Sequence, residues 1–289
     1  MGVCMNTSLL SIGDICSETG LSSDVVRVWE RRYGFPMPVR LPSGHRRYHA
    51  EDLNRLRLIA EAVASGHRPS TAVRSSTAQL QSMVLKNAPH QQDPILDDLM
   101  LATLASNSEK IKNLLAEALF QNGLRDFVIK IVAPLLERVG LAWAEGKLDI
   151  HHEKLLTEVL EDLLRKLRNE LDQQARGPRE VVLMTTLPGE RHRLGLLMAA
   201  LIYTSKGYKT EVLGMDVPVA NIAKSARQVG AQKVAVSLSI LTAGESVRRL
   251  LKDLQERLPQ GCSLVIGGQG ASRTRKVQGV DRMTGLEDI

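Results

Sequence analysis

The stretch Glu190-Arg191-His192-Arg193-Leu194-Gly195 decides how the rest of the chain is read. It lies where a short apolar run, Val181-Val182-Leu183-Met184, gives way to a helical pattern running from about Gly195 to Ser205. An apolar run, a polar loop and an apolar helix in succession make the βα step of a parallel sheet. In such sheets ligands bind in the crevice outside the carboxyl ends of the strands. A histidine there can ligate a metal through one ring nitrogen. A carboxylate two residues earlier can hold the other N–H and fix the tautomer. A lone loop histidine is more often simply solvated, so the neighbouring strand ends matter.

Gly177-Pro178 breaks the preceding helix. Strand patterns follow over 181–185, 209–213, 234–238 and 263–266, separated by helical ones near 195–206, 218–230 and 244–257. This alternation predicts a doubly wound parallel α/β sheet over 177–289. After the third strand comes Ser237-Leu238-Ser239, and after the fourth Gly267-Gly268-Gln269-Gly270. Paired glycines leave a slot without side chains, where a flat group can lie against the backbone. Each signal alone reads as a turn; three on one edge of one sheet read as a binding site. No G-x-G-x-x-G is present, which argues against a dinucleotide. The basic tail Arg273-Thr274-Arg275-Lys276 reads as solvated.

Upstream, 93–176 carries helical apolar spacing with no strand signal, which predicts a four-helix bundle. Asp93 caps the first helix with Pro94 at its first position, and Ser108 caps a second with Ile111, Leu114, Leu115 and Leu119 on one face. Gly123 starts a third through Phe127, Ile131, Leu135 and Val139 to Trp143. Asp149 caps a fourth carrying Leu155, Leu156, Val159, Leu163 and Leu167. His151-His152-Glu153 suggests a metal cluster, but neighbours on a helix point apart and read better as solvated helix-start residues. The polar stretch 81–92 reads as a linker.

The first 80 residues read differently. Ser11 caps a short helix, Thr19-Gly20-Leu21-Ser22 makes a turn and a second cap, and a helix runs from about Ser23 to Tyr33. Val25, Val28 and Trp29 form its apolar stripe, with Arg27, Arg31 and Arg32 outward. Helix, glycine turn and helix make a helix-turn-helix, whose second helix enters the major groove. Prolines and Ser43-Gly44 between Phe35 and Tyr48 predict two short strands forming a wing, and a third helix starts near Glu51-Asp52. Between Val25 and Ala50 stand six arginines against one acid, Glu30. A patch this basic, with Trp29, Tyr33 and Tyr48 interleaved, is an electrostatic footprint for phosphate.

With 289 residues, 43% hydrophobic and 24% charged, the chain is expected to be a multidomain globular protein. The longest apolar run, from Leu196 to Tyr203, is too short for a bilayer, and no signal-peptide layout opens the sequence. Three widely spaced cysteines imply a reducing cytoplasm, without disulfides or a thiolate metal site.

The run VVRVWERRYGFPMPVRLPSGHRRYHAEDLNRLRLI closely resembles the winged helix-turn-helix of MerR-type transcription regulators. That resemblance implies DNA contacts by Arg27, Arg31, Arg32, Tyr33, Arg40, His45, Arg46, Arg47 and Tyr48, from the second helix and the wing. It also implies a homo-oligomer on double-stranded DNA, with a near-palindromic operator. The trio E-x-H-x-x-G, S-L-S and G-G resembles the signature of cobalamin-binding domains. There His192 would be the lower axial ligand of cobalt and Glu190 its partner, with Gly195 closing the motif. Ser237, Gly267 and Gly268 would line the slot for the cobalamin's nucleotide tail. Trp143 followed ten residues later by Glu153 resembles the cap over the upper corrin face in cobalamin photoreceptor regulators of the CarH and LitR type. The whole order resembles that group and implies a repressor, not an enzyme, gated by adenosylcobalamin and light. Lys154 and Ala144 depart from its pattern where histidines stand in members. This leaves open a regulator whose cobalamin-like domain lacks light sensing and serves dimerisation or another ligand. A corrinoid enzyme module is the remaining alternative, with little to explain the arginine patch.

Overall fold

The computed structural model describes residues 9–49, 52–64, 67–77, 79–80, 83, 93–144, 147–239 and 245–289. The linker expected over 81–92 lies, apart from residue 83, outside these, as does the expected start of a helix at Glu51. Two compact units are formed, Met1–His90 with Gly140–Lys147, and Gln91–Val139 with Leu148–Ile289. Among the described residues no helix is long and apolar enough to cross a membrane.

In the first unit, Ser11 opens α1 (Ile12–Thr19) with a reciprocal box: its hydroxyl accepts from Asp14 N at 3.2 Å, and the Asp14 carboxylate accepts from Ser11 N at 2.8 Å. Gly20 ends the helix in the left-handed conformation, φ 74°, where a side chain would be strained. Ser22 then caps α2 (Ser23–Tyr33), its Oγ accepting from Val25 N at 3.3 Å. Val26 and Trp29 are the buried residues of α2: Trp29 is inward as expected, whereas Val25 is exposed and Val26 is buried in its place. The strands β1 (Leu9–Leu10), β2 (Val39–Arg40) and β3 (Arg46–His49) pair antiparallel in the order β1-β3-β2. The β2–β3 hairpin is the expected wing. Leu56, Leu58 and Ile59 of α3 (Asp52–Ala64) close the core, and α4 (Pro69–Arg74) follows.

The second unit begins with the bundle. Asp93 caps α5 (Pro94–Leu104) by accepting from Ile95 N at 3.1 Å, with Pro94 in the first turn. The cap of α6 (Ser108–Asp126) is Asn107, whose Oδ1 accepts from Lys110 N at 3.0 Å. Ser108, the expected cap, is instead the first helical residue. Gly123 breaks the helical path with φ 70° and ψ 164°, as its position predicts. Phe127–Val132 then winds as a π-helix into α7 (Ala133–Ala144). Pro134 has no N–H to return to the turn before it. The wider turn, with Ala133 N–H bonding Val128 O, absorbs that gap. The long α8 (Ile150–Gln174) buries Leu156, Val159, Leu160 and Leu164, while the expected Leu155, Leu163 and Leu167 are only partly covered.

The sheet of this unit runs β5-β4-β6-β7-β8, every pair parallel: β4 (Val181–Thr185), β5 (Lys209–Gly214), β6 (Lys233–Ser237), β7 (Ser263–Gly267) and β8 (Val280–Arg282). Alternation along the strands divides the core into two layers. Leu183, Val234, Val236, Leu264 and Ile266 pack on one face with α10 (Val219–Val229) and α11 (Glu245–Arg257). Val182, Met184 and Ala235 pack on the other with Leu196, Ala200 and Tyr203 of α9 (Leu194–Ser205). α9 is apolar nearly all round because α8 of the bundle covers the side turned from the sheet. The edge strand β8 has no counterpart in the expected elements; only Val280 of its three residues is buried.

Candidate functional site

The chain leaves β4 for β5 on one side of the sheet and later returns to build β6 on the other. The carboxyl ends of β4 and β6 therefore flank the topological switch point, the position at which doubly wound sheets open a crevice. The loop leaving β4 is pinned from below. Thr186 Oγ1 donates to Glu190 O at 2.7 Å and accepts from Asp216 N at 2.9 Å, while Gly189 N donates to Asp216 Oδ1 at 2.8 Å.

Glu190 is 1% exposed, and its carboxylate joins two loops. Oε1 accepts from His192 N at 2.9 Å and meets His192 Nδ1 at 2.5 Å; Oε2 accepts from Ser239 N, in the loop after β6, at 2.8 Å. A buried carboxylate survives only with such partners. With Nδ1 donating to Glu190, the tautomer leaves Nε2 as the lone pair. Among the described residues Nε2 has no hydrogen-bond partner. The Glu190 hydrogen bond raises the pKa of His192. The charges of Glu190 and Glu153 act the same way, while burial and Lys154 oppose them.

The glycines divide into two kinds. A Cβ on Gly195 would stand 3.4 Å from Ser237 Oγ, so the first turn of α9 closes directly on the end of β6. At Gly268 (φ 88°) a Cβ would fall 2.5 Å from Leu238 O, and at Gly270 2.2 Å from Ser239 O. Both positions are needed so that the loop after β7 can lie on the backbone of the loop after β6, where Gly270 N donates to Leu238 O at 3.0 Å. Gly267 has only an ordinary contact, 3.9 Å to Met283 Cβ. Gly270 was not among the expected site residues, although the G-G-x-G spacing contains it.

On the bundle, Glu153 sits in the first turn of α8, with Oε2 3.2 Å from Lys154 Nζ and Oε1 accepting from Thr157 Oγ1 at 3.3 Å. Its charge reaches His192, so the fold brings these two expected residues into one electrostatic neighbourhood. Trp143 lies in the last turn of α7 and is 37% exposed. The rings of His151 and His152 converge, centroids 3.8 Å apart, where divergence was expected, and Asp149 completes a group with metal-ligand spacing. Asp149 and His152 are already engaged with each other's backbone N–H in the helix cap, however, and a helix N-terminus repels a cation.

In the head, Arg27, Arg31, Arg32, Arg40 and His45 are exposed, and Tyr33 and Arg47 partly so. Arg46 donates Nε to Glu30 Oε2 at 3.1 Å. Tyr48 corrects the expectation placed on it: at 0% exposure it is a core residue whose hydroxyl donates to Glu30. Wing and second helix are thus locked together through Glu30. The ring that looked like a nucleic-acid contact is the packing beneath the wing.

The model of the MerR HTH family of regulatory proteins matches residues 10–75, and two B12-binding domain models match 95–168 and 180–285. The chain joins a MerR helix-turn-helix domain to B12-binding domains. Two relatives from Myxococcus xanthus align along most of this chain. The HTH-type transcriptional repressor CarH is 26% identical over 261 residues, spanning 87% of this chain and 86% of that protein. The HTH-type transcriptional repressor CarA is 27% identical over 263 residues, spanning 91% and 87%. Among solved structures, the monomethylamine corrinoid protein of Methanosarcina barkeri superposes with a TM-score of 0.53 at 18% identity. It covers 68% of this chain and 94% of that one, and shares its fold.

Proposed function

We propose that this MerR–B12 chain is a transcriptional repressor that binds double-stranded DNA through residues 1–80 and whose hold on DNA is set by a cobalamin. The cobalamin would be held between a cap within 93–176 and the sheet domain, 177–289. The observation that carries the reading is the buried Glu190 carboxylate holding His192 Nδ1, with Nε2 left without a hydrogen-bond partner among the described residues. That is the arrangement an imidazole needs to ligate a metal, with tautomer and orientation fixed by its neighbour. The residues present fit the group: His192 would ligate cobalt, and Ser237 and Gly267 would line the slot for the nucleotide tail. Gly268 and Gly270 let the loop after β7 lie against the loop after β6, and Glu153 belongs to the cap. When bound, adenosylcobalamin supplies a cobalt–carbon bond that light can break. The chain's own part is to hold the imidazole oriented, to offer arginines to phosphate, and to favour one assembly over another in each ligand state. Arg27, Arg31 and Arg32 on α2, and Arg40, His45 and Arg47 on the wing, carry the DNA contacts; Arg46 shares itself between phosphate and Glu30. The protein works in the cytoplasm as a homo-oligomer and catalyses no reaction.

A second reading keeps the DNA binding and the cobalamin but drops the light response. Lys154 favours it, because it stands where the resemblance expects a histidine and is paired with Glu153. Size-exclusion chromatography and gel shifts on the chain's own promoter, with adenosylcobalamin in the dark and after illumination, test both. A dark complex that retards DNA and is released by light supports the first reading. A complex indifferent to light supports the second. No spectral change with any cobalamin refutes the two together.

A further inference from the structure

Glu161, halfway along α8, faces the loop that carries His192 from the bundle side. It is 7% exposed, and its Oε2 accepts from Arg165 Nη2 at 2.5 Å and from Arg193 Nη1 at 3.1 Å. Arg193 follows the imidazole directly in the chain and is the N-cap of α9, its carbonyl accepting from Leu197 N at 3.0 Å. The loop is therefore held at two points. Glu190 ties its middle to the loop after β6, and Glu161 ties its last residue to the bundle. Surface ion pairs contribute little, but a buried carboxylate shared by two guanidiniums is strongly directional. The two arginines are 40% and 38% exposed in their side chains, so either reaches water when the carboxylate is lost. What disappears with the carboxylate is then the tether and not the fold.

We propose that Glu161 is a positioning residue for His192: by gripping Arg193 it makes the bundle and the ligand loop move as one body, and so sets the seat of the imidazole. This rests on the reading of His192 as a cobalt ligand. The link is between a helix of the cap and the residue next to the ligand, 32 positions apart in the chain. It is therefore a route by which any displacement of the cap reaches the ring.

The test uses the full chain with histidine labelled in 15N, adenosylcobalamin in the dark for affinity, and cobalamin reduced to cobalt(II) for electron paramagnetic resonance. An imidazole below cobalt splits the signal through its nitrogen, and 15N labelling changes the triplets to doublets. Glu161→Gln and Arg193→Gln are each expected to weaken adenosylcobalamin binding about tenfold and to diminish the doublet pattern. Arg193→Lys keeps the charge and stays near the parent, Arg165→Gln leaves the doublets intact, and the Glu161→Gln/Arg193→Gln double variant is no worse than either single one. Parent-like doublets and affinity in Glu161→Gln overturn the proposal, as do additive losses in the double variant. So does a lowered melting temperature with the doublets unchanged, which marks a structural role only. A parent chain that binds no cobalamin overturns the underlying reading as well.

Discussion

Replacing Glu190 by Gln tests the carboxylate that joins the two strand-end loops. In the parent, one oxygen takes two N–H groups of His192 and the other takes Ser239 N. A Gln amide has one acceptor and one donor. If its oxygen serves His192, its NH2 faces Ser239 N–H, donor against donor, in a site only 1% exposed. If it flips, its NH2 faces His192 N–H, donor against donor, and can keep the ring only by donating to Nδ1 of the other tautomer, which takes the lone pair off Nε2. The milder arrangement leaves a buried donor unsatisfied and costs about 1–3 kcal/mol. For a unit of this size that is a fall in melting temperature of roughly 2–12 °C. Losing the partner of a metal-ligating histidine lowers metal affinity about 10–100-fold. The assay is a thermal melt of the cobalamin-free chain beside isothermal titration with cobalamin. The expected outcome is a loss in both. If the variant melts within a degree of the parent and binds cobalamin equally, the carboxylate neither fastens the loops nor orients the ring, and the reasoning fails.

Gly270→Ala puts a Cβ against Ser239 O and should cost about 1–3 kcal/mol, seen as a lower melting temperature, whereas Gly267→Ala should be close to neutral. Arg40→Ala, on the exposed wing, should weaken binding evenly across DNA sequences and reduce the slope of log affinity against log salt by about 1, read by fluorescence anisotropy. Tyr48→Phe should leave that slope unchanged but lower the melting temperature of the head, because Glu30 loses a buried donor. In the cobalamin-free chain, His192 should titrate above the ordinary histidine range by NMR, and Glu190→Gln should bring it down. A raised folded value means that this group's contribution to stability is complete below the ordinary histidine pKa. It fades as pH rises through the raised one, so melts at the two sides of that window should differ in that sense.

Much of this was legible because it is local. Ser11, Ser22, Asp93 and Gly20 act within one turn of themselves, and buried strands announce themselves as short apolar runs between loops. Stripe phase was less legible: Val25 and Val26 are equally apolar, and only the packing against α1 and α4 selects the second. Tyr48 carried a phenol that suits DNA or a core equally, and the deciding partner, Glu30, is 18 residues away. Strand β8 had too few apolar residues to show, since an edge strand needs only one face covered. The roles of Glu161, Arg193 and Gly270 depend on neighbours that meet only after folding. Gly268 was visible, but as a slot-former; the contact with Leu238 O is what requires it.

The π-helix at Phe127–Val132 has a bearing on everything after it. One extra residue in a helical turn rotates the downstream side chains by about 100° about the helix axis. The buried Val139 stands about two turns further along, so the quarter of the helix it faces depends on an insertion upstream of it. Excising a single residue from 127–132 would swing that valine to another quarter of the helix while leaving its sequence context untouched.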